Sequence, residues 1–433
     1  MITPPKDQTP NDQTEDRFFP LLTVQKLDRQ LDDLRQKLTA AQTLEVHPNQ
    51  NGIYSASASQ NDNAHSGYQN AWLRDNAMVA YSRWVCGDVD SAAKTARGMA
   101  AFLETQVGGM ERIIAKPSRK ENVQERPHIR FDAKRLQEID EVWPHAQNDA
   151  LGYAIWLRLK LANEAGFPLE ASECEMFGVL ISYLRAIQFW KDRDSGAWEE
   201  GRKVNSSSVG AVTAGLGQLE VYLKNGGKAG PWKKDGKKDN VSALISRGEK
   251  TLQAQLPFEA PPERMADSAL LFLIYPLEIV QDDKMRRLIT SAIRARLAGS
   301  HGIRRYAGDS YFCQDYDTWF PPEERSGEFA SRLEVRDAFL QPGCEAQWCL
   351  FDPLLSVIYG KSYQSNPQRT DLLDLQLEYA NRSIAQLDKH GRCPELYFLK
   401  HGKYITNEHT PLAWTQANLS MAMNRLERSV KKH

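Results

Sequence analysis

Apolar residues recur along the chain at spacings of three and four in roughly a dozen segments, each bounded by Pro, Gly, Asn or Asp, and strand-like alternation is scarce. The pattern predicts helices over residues 19–42, 72–84, 89–107, 147–163, 171–190 and 205–223. It continues with 241–254, 264–276, 280–298, 345–359, 367–389 and 411–428. Twelve helices joined mostly by short or medium loops pair into six hairpins, and six hairpins closed in a ring make an all-α (α/α)6 barrel. Residues 19–430 are expected to form this single domain, with 1–18 a disordered or loosely ordered N-terminal segment. Two irregular stretches interrupt the pattern. Lys/Gly-rich Asn225–Asn240 reads as a solvated loop, whereas Gly299–Cys344 is rich in aromatics, arginines and acids.

Composition narrows the function more than the fold. A chain of 433 residues with 41% hydrophobic content can bury a large core. Its net charge of -1 gives no electrostatic reason to expect nucleic acid or an anionic membrane as partner, so a neutral ligand fits better. Ten Trp and fifteen Tyr suit sugars, whose apolar faces stack on aromatics. Cys86, Cys174, Cys313, Cys344, Cys349 and Cys393 show neither a CxxC pair nor metal-like spacing with histidine, so reduced thiols and no metal are expected. Met1–Asp16 carries no basic-then-apolar signal pattern, and no run is long enough to span a bilayer; a cytoplasmic protein is the expectation. Gly230 to Lys237 has only part of a phosphate-loop spacing, Lys238 stands where Ser or Thr would be needed, and no strand precedes it. No GxGxxG lies between a strand and a helix, so no nucleotide cofactor is expected.

The unusual polar residues fall just before alternate helices. Trp72 to Asn76 opens the second, Trp143 to Asp149 the fourth, and Trp198-Glu199-Glu200 precedes the sixth. Asp267 opens the eighth, Glu345 the tenth, and Pro394 to Tyr397 precedes the twelfth. If even-numbered helices line the barrel in one direction, these loops meet at one end, which is where a pocket would form. Asp75, Asp149 and Asp267 could equally be helix N-caps. Capping does not explain the tryptophans and arginine beside them, nor Glu199-Glu200 several residues ahead of a helix.

These stretches carry a family resemblance. AWLRDN (71–76), QND (147–149), AWEEG (197–201) with NSSSVG (205–210), and DSALL (267–271) are joined by GIRRY (302–306), CEAQW (344–348), PELY (394–397) and PLAW (411–414). In this order they resemble glycoside hydrolase family 15, the glucoamylase and glucodextranase family, and within it most resemble the glucoamylase-like domain of phosphorylase kinase α and β subunits. The resemblance implies an (α/α)6 barrel, Glu199 as general acid and Glu395 as the general base that activates water. It implies substrate contacts at Trp72, Arg74, Asp75, Trp143, Gln147, Asp149, Trp198, Glu200, Arg305, Tyr306, Glu345, Tyr397 and Trp414, and no cofactor.

The chemistry needs one carboxyl kept neutral to protonate the leaving oxygen and one kept charged to deprotonate water; an inverting pair stands roughly 6.5–9.5 Å apart. Glu200 is the expected neighbour that raises the proton affinity of Glu199. The substrate implied is an α-linked oligo- or polysaccharide with glucose released from its non-reducing end. The alternative is a non-catalytic glucan-binding regulatory protein like the kinase subunit domain. Two departures stand out. The family's Trp-x-Arg-Pro-Gln-Asn-Asp run is here Trp143-Pro-His-Ala-Gln-Asn-Asp149, without the arginine, and Asp309–Gly343 follows no glucoamylase pattern.

Overall fold

A computed structural model describes residues 18–57, 67–228, 241–325 and 329–430. The expected disordered stretch up to residue 17 and the phosphate-loop-like Gly230–Lys237 lie outside these residues. The principal helices are α1 (Leu27–Ala40), α2 (Leu73–Val85), α3 (Val89–Thr105), α4 (Val107–Ala115), α5 (Asn148–Glu164), α6 (Ala171–Ile187), α7 (Ser206–Lys224) and α8 (Val241–Gln255). They continue with α9 (Leu271–Ile274), α10 (Asp283–Leu297), α11 (Tyr316–Trp319), α12 (Phe329–Asp337), α13 (Phe351–Ser365), α14 (Thr370–Ala385) and α15 (Ala413–Val430).

Packing sorts them into two rings. Helices α2, α5, α7, α9, α13 and α15 touch in that order, and α15 returns to α2, closing an inner ring. Outside it, α1 lies on α15, α3 on α2, α6 against α3 and α4, α8 on α7, α10 on α9, and α14 on α13. The fold is an (α/α)6 barrel, as the hairpin count predicts. Outer helices are one-sided: α1 buries Leu27, Leu31, Leu34 and Leu38 along a single stripe. Inner helices are buried all round, so every residue of α5 from Asn148 to Leu159 and of α7 from Ser206 to Leu216 is inside. Small residues let these two approach: a Cβ on Gly152 would lie 2.5 Å from the Ala211 carbonyl carbon, and one on Gly215 would lie 2.9 Å from the Gly152 oxygen. Phe18 and Phe19 are already part of the core.

The differences from the predicted elements have local causes. The helix expected over 264–276 shrinks to a 3-10 turn (Ser268–Leu270) and α9, because Pro276 disfavours helical backbone at Tyr275, which is extended. The helix expected from 345 starts at 351, since Gln347–Trp348 is a strand (β3). Strands β1 (Ala71–Trp72) and β2 (Arg130–Phe131) pair antiparallel, and β3 pairs with β4 (Leu396–Lys400), which pairs in turn with β5 (Lys403–Thr406). The 299–344 stretch, expected to be irregular, contains α11 and α12. Among the described residues, no helix is long and apolar enough to cross a membrane.

Candidate active site

The pocket opens where the inner helices begin. It encloses about 760 Å³ including its open mouth, within the range of small-molecule sites. Its wall takes Trp72, Arg74 and Asp75 from β1 and the first turn of α2, and Trp143 with Pro144 from the loop before α5. Ala197, Trp198 and Glu199 come from the loop before α7, Arg305 and Trp348 from the segment before α13, and Leu412 and Trp414 from the start of α15. Glu395, immediately ahead of β4, completes it.

Glu199 and Glu395 line this one pocket in different settings. Glu199 terminates a 3-10 turn (Gly196–Trp198) with φ 60°, ψ 39°, a left-handed conformation that costs a non-glycine residue on the order of 1 kcal/mol. Its Oε1 is buried with no hydrogen-bond partner among the described residues, and Arg74 Nη1 stands 3.9 Å away. Burial pushes the carboxyl above its ordinary range, against the pull of Arg74 and Arg130 and of hydrogen bonding from Gln147 and Trp72.

Glu395 is held by strands. Cys349 N–H donates to its carbonyl at 2.9 Å, extending the β3–β4 ladder, and the β4–β5 hairpin returns Asn407 beside it. Both carboxyl oxygens accept bonds: Oε1 from the Tyr68 hydroxyl at 2.7 Å and Oε2 from Asn407 Nδ2 at 2.5 Å. Burial pushes this carboxyl up to about 8, and the two donors work against it by favouring the charged form. Asp75 is pushed by burial to about 7, with Arg74 opposing and Glu199 adding to the rise.

The remaining sequence-derived residues divide into those on the wall and those behind it. Trp72, Arg74, Asp75, Trp143, Trp198, Arg305 and Trp414 are on the wall. Gln147 and Asp149 are not. They grip Arg74 from behind, Asp149 Oδ2 accepting from Nε at 2.5 Å and Gln147 Oε1 from Nη2 at 2.6 Å. Glu200 also sits behind the wall, because the left-handed turn at Glu199 sends consecutive side chains to different places. It accepts from Arg305 at 3.0 Å, Arg336 at 2.8 Å, Arg264 at 3.0 Å and the Tyr306 hydroxyl at 2.5 Å. Burial pushes Glu200 up, but the three guanidiniums outweigh it and hold it well below the ordinary carboxylate range. Burial, and not Glu200 as expected, leads the rise of Glu199, since the charge of Glu200 is matched by the guanidiniums around it, and Tyr306 is turned onto Glu200 and away from the pocket.

Two expected contacts lie elsewhere altogether. Glu345 accepts from Gly308 N–H at 2.9 Å and faces Arg304 at 3.3 Å. Tyr397 follows the strand alternation to the opposite face from Leu396 and donates to the Gln386 carbonyl at 2.9 Å. Sequence reasoning missed Tyr68, Tyr311, Arg336 and Trp348 on the wall and Asn407 behind Glu395. CEAQW, quoted as a matching stretch, contains Trp348 and was a usable signal. Arg336 belongs to the 309–343 stretch that matches no pattern, and nothing local marked it.

The pocket offers sugar-sized chemistry. The indole N–H groups of Trp143, Trp348 and Trp414 are buried without a hydrogen-bond partner among the described residues. Arg305 is fixed by a bidentate pair with Asp309, 2.6 Å at each contact, and lies 5.2 Å from the Trp198 ring centre and 5.0 Å from that of Trp348. Asp267 accepts from Trp198 Nε1 at 2.9 Å and from Ala269 N–H at 2.8 Å, joining a cap to a wall support in one side chain. Among the described residues, no group of three or more His, Cys, Asp or Glu is arranged to hold a metal.

Comparison with known proteins places these features. The family model described as Glycosyl hydrolases family 15 matches residues 34–312, which include Glu199 and stop short of Glu395. The chain is 26% identical over 407 residues to the phosphorylase b kinase regulatory subunit alpha, skeletal muscle isoform, of Oryctolagus cuniculus, covering 85% of this chain and 30% of that protein. It is 22% identical over 290 residues to a probable phosphorylase b kinase regulatory subunit beta of Drosophila melanogaster, covering 64% of this chain and 25% of that one. The chain spans less than a third of the length of these relatives. Among solved structures, a glycosidase variant in complex with glucose superposes with TM-score 0.64 at 20% identity, covering 93% of this chain and 98% of the other. A glucoamylase from Saccharomycopsis fibuligera gives 0.57 at 14% identity, covering 96% and 98%. At such identities the likeness shows the fold.

Proposed function

The chain belongs to glycosyl hydrolase family 15, and from that premise we propose that it is an inverting, exo-acting α-glucoside hydrolase. The observation that carries the proposal is that Glu199 and Glu395 line one aromatic pocket, one with an oxygen unpartnered and the other with both oxygens bonded. In this reading the terminal glucose of an α-linked chain enters among Trp72, Trp143, Trp198 and Trp414, with its hydroxyls on Arg74, Asp75 and Arg305. Glu199 gives its proton to the glycosidic oxygen as the C1–O bond breaks. Glu395 takes a proton from a water attacking C1 on the opposite face, so the product anomer is inverted. Gln147, Asp149, Glu200 and Tyr306 hold the arginines in place. Six cysteines without a disulfide suit a reducing compartment, so we place its work in the cytoplasm.

A second reading is carried by the relatives whose names describe regulatory subunits: the pocket binds a glucan and cleaves nothing. One experiment separates the two. The protein is incubated with α-linked disaccharides, maltooligosaccharides and dextrans, released glucose is measured, and its first-formed anomer is read by proton NMR. β-Glucose released from a chain end supports the hydrolase. Saturable binding of a maltooligosaccharide with no glucose released supports the sensor.

A further inference from the structure

The Trp143–Asp149 run lacks an arginine, and a guanidinium from another strand packs on Trp143 instead. His145, at the departing position, stacks on His128 with ring centres 3.8 Å apart and supplies no charge, because burial pushes its imidazole down to about 2. Two residues beyond His128, Arg130 reaches from β2 to the indoles of the pocket wall from behind. Its guanidinium lies 4.1 Å from the ring centre of Trp143 and 4.9 Å from that of Trp72, and those two rings meet edge to face at 6.0 Å. Nη2 donates to the Gly67 carbonyl at 3.1 Å, and a Cβ on Gly67, whose φ is 70°, would sit 1.6 Å from Nη2 and displace the guanidinium. The next residue, Tyr68, donates to Glu395. Nη1 pairs with Glu141 at 2.5 Å; the Arg130 side chain is 4% exposed and that of Glu141 is 32% exposed.

The geometry points to Arg130 as a positioning residue behind the pocket wall, bracing Trp72, Trp143 and the Tyr68 loop while setting the field at Glu199. The inference rests on the hydrolase reading above. Arg130 does not line the pocket; it acts through the two indoles, through Gly67–Tyr68, and through its charge, which favours ionised Glu199. Close packing of a broad, delocalised cation against two indoles is a property of guanidinium, whereas the field requires only a positive charge. The two roles therefore separate by substitution.

The test compares three variants of the full chain on maltotriose, with pH profiles of kcat/KM. Arg130→Lys keeps the charge and loses the plane, so KM rises about tenfold while the basic limb stays in place. Arg130→Gln loses both. Without a nearby cation Glu199 holds its proton to higher pH, and the basic limb moves up by about half a pH unit or more. Glu141→Gln leaves Arg130 less neutralised, so the limb moves the opposite way, downward, with KM unchanged. Because Glu141 is partly exposed, that variant alone decides the sign should the Arg130 variants fail to fold by circular dichroism. Superimposed profiles, or shifts of the same sign for Arg130→Gln and Glu141→Gln, overturn the inference. If the wild type cleaves no α-glucoside, the hydrolase reading falls separately. Arg130 is then judged by maltose affinity, where about tenfold weakening in Arg130→Lys supports it and unchanged affinity overturns it.

Discussion

The two sides of the pocket are built by opposite means. Glu199 hangs from a left-handed residue between a 3-10 turn and a helix, with one carboxyl oxygen unpartnered. Glu395 leads a strand of a three-stranded sheet, and both of its oxygens are held by donors. Burial raises the proton affinity of both. Their partners differ: Tyr68 and Asn407 hold both oxygens of Glu395, whereas Glu199 Oε1 is buried without a hydrogen-bond partner among the described residues and the charges of Arg74 and Arg130 oppose the rise. In the proposed hydrolase, the doubly held carboxyl on the sheet side serves as base and the carboxyl on the loop side as acid.

Substituting the two carboxyls is the severest way to break this contrast. Loss of either should cost about 10²–10⁴-fold in kcat on maltooligosaccharides. Glu199→Gln should keep far more activity on α-glucosyl fluoride, whose leaving group needs little protonation, whereas Glu395→Gln should slow both substrates alike. Equal losses on both substrates in the two variants would erase the assignment.

The residue after Glu199 sharpens the picture through stability. Glu200→Gln leaves Arg264, Arg305 and Arg336 around a neutral amide, and should destabilise the fold by about 3–5 kcal/mol in urea unfolding. The folded carboxyl is depressed, so its stabilising contribution is present above the unfolded value and fades as pH falls toward the folded one. Wild type and variant should therefore converge in acid.

Smaller effects probe the hydrogen bonds themselves. Tyr68→Phe removes one donor to Glu395, so its charged form is less favoured and its proton affinity rises. The acid limb of kcat/KM should move to higher pH, with roughly a tenfold loss near neutrality. A limb that stays put would mean Tyr68 only fills space. Smallest is Asp75→Asn. Folding raises this carboxyl from 3.8 to about 7, so stability is lost as pH climbs through that window, and the amide escapes the loss. Thermal melts should show the variant more stable by about 1–2 kcal/mol at pH 8 and unchanged at pH 4.

Much of the barrel could be read from sequence because helical periodicity survives in both rings, even where α5 and α7 are buried on every side. The reading failed where tertiary context overrode the local pattern. Pro276 cut short a segment that is apolar enough for three turns, and Gln347–Trp348 is drawn into the sheet that carries Glu395. Motif positions in the sequence located the pocket wall at Trp72, Arg74, Asp75, Trp198 and Arg305. They put both adjacent glutamates in the pocket, whereas only Glu199 lines it, because that depends on a left-handed φ at Glu199. Nor could they find Arg130 or Arg336, whose roles arise from contacts with residues distant in the chain.

The shared direction of the inner helices has a consequence for electrostatics. Helices α2, α5, α7, α13 and α15 all begin at the pocket end, and each helix start carries a partial positive charge, about half an elementary charge, from its unpaired amide groups. The barrel by itself thus presents a positive floor, which welcomes a neutral sugar's oxygens and repels the oxocarbenium character of the glycosidic transition state. Asp75, Glu199 and Glu395 are the counterweight. If the hydrolase proposal holds, losing one of these acids would leave a glucose receptor without the means to stabilise positive charge at C1, so the two proposed readings lie one substitution apart.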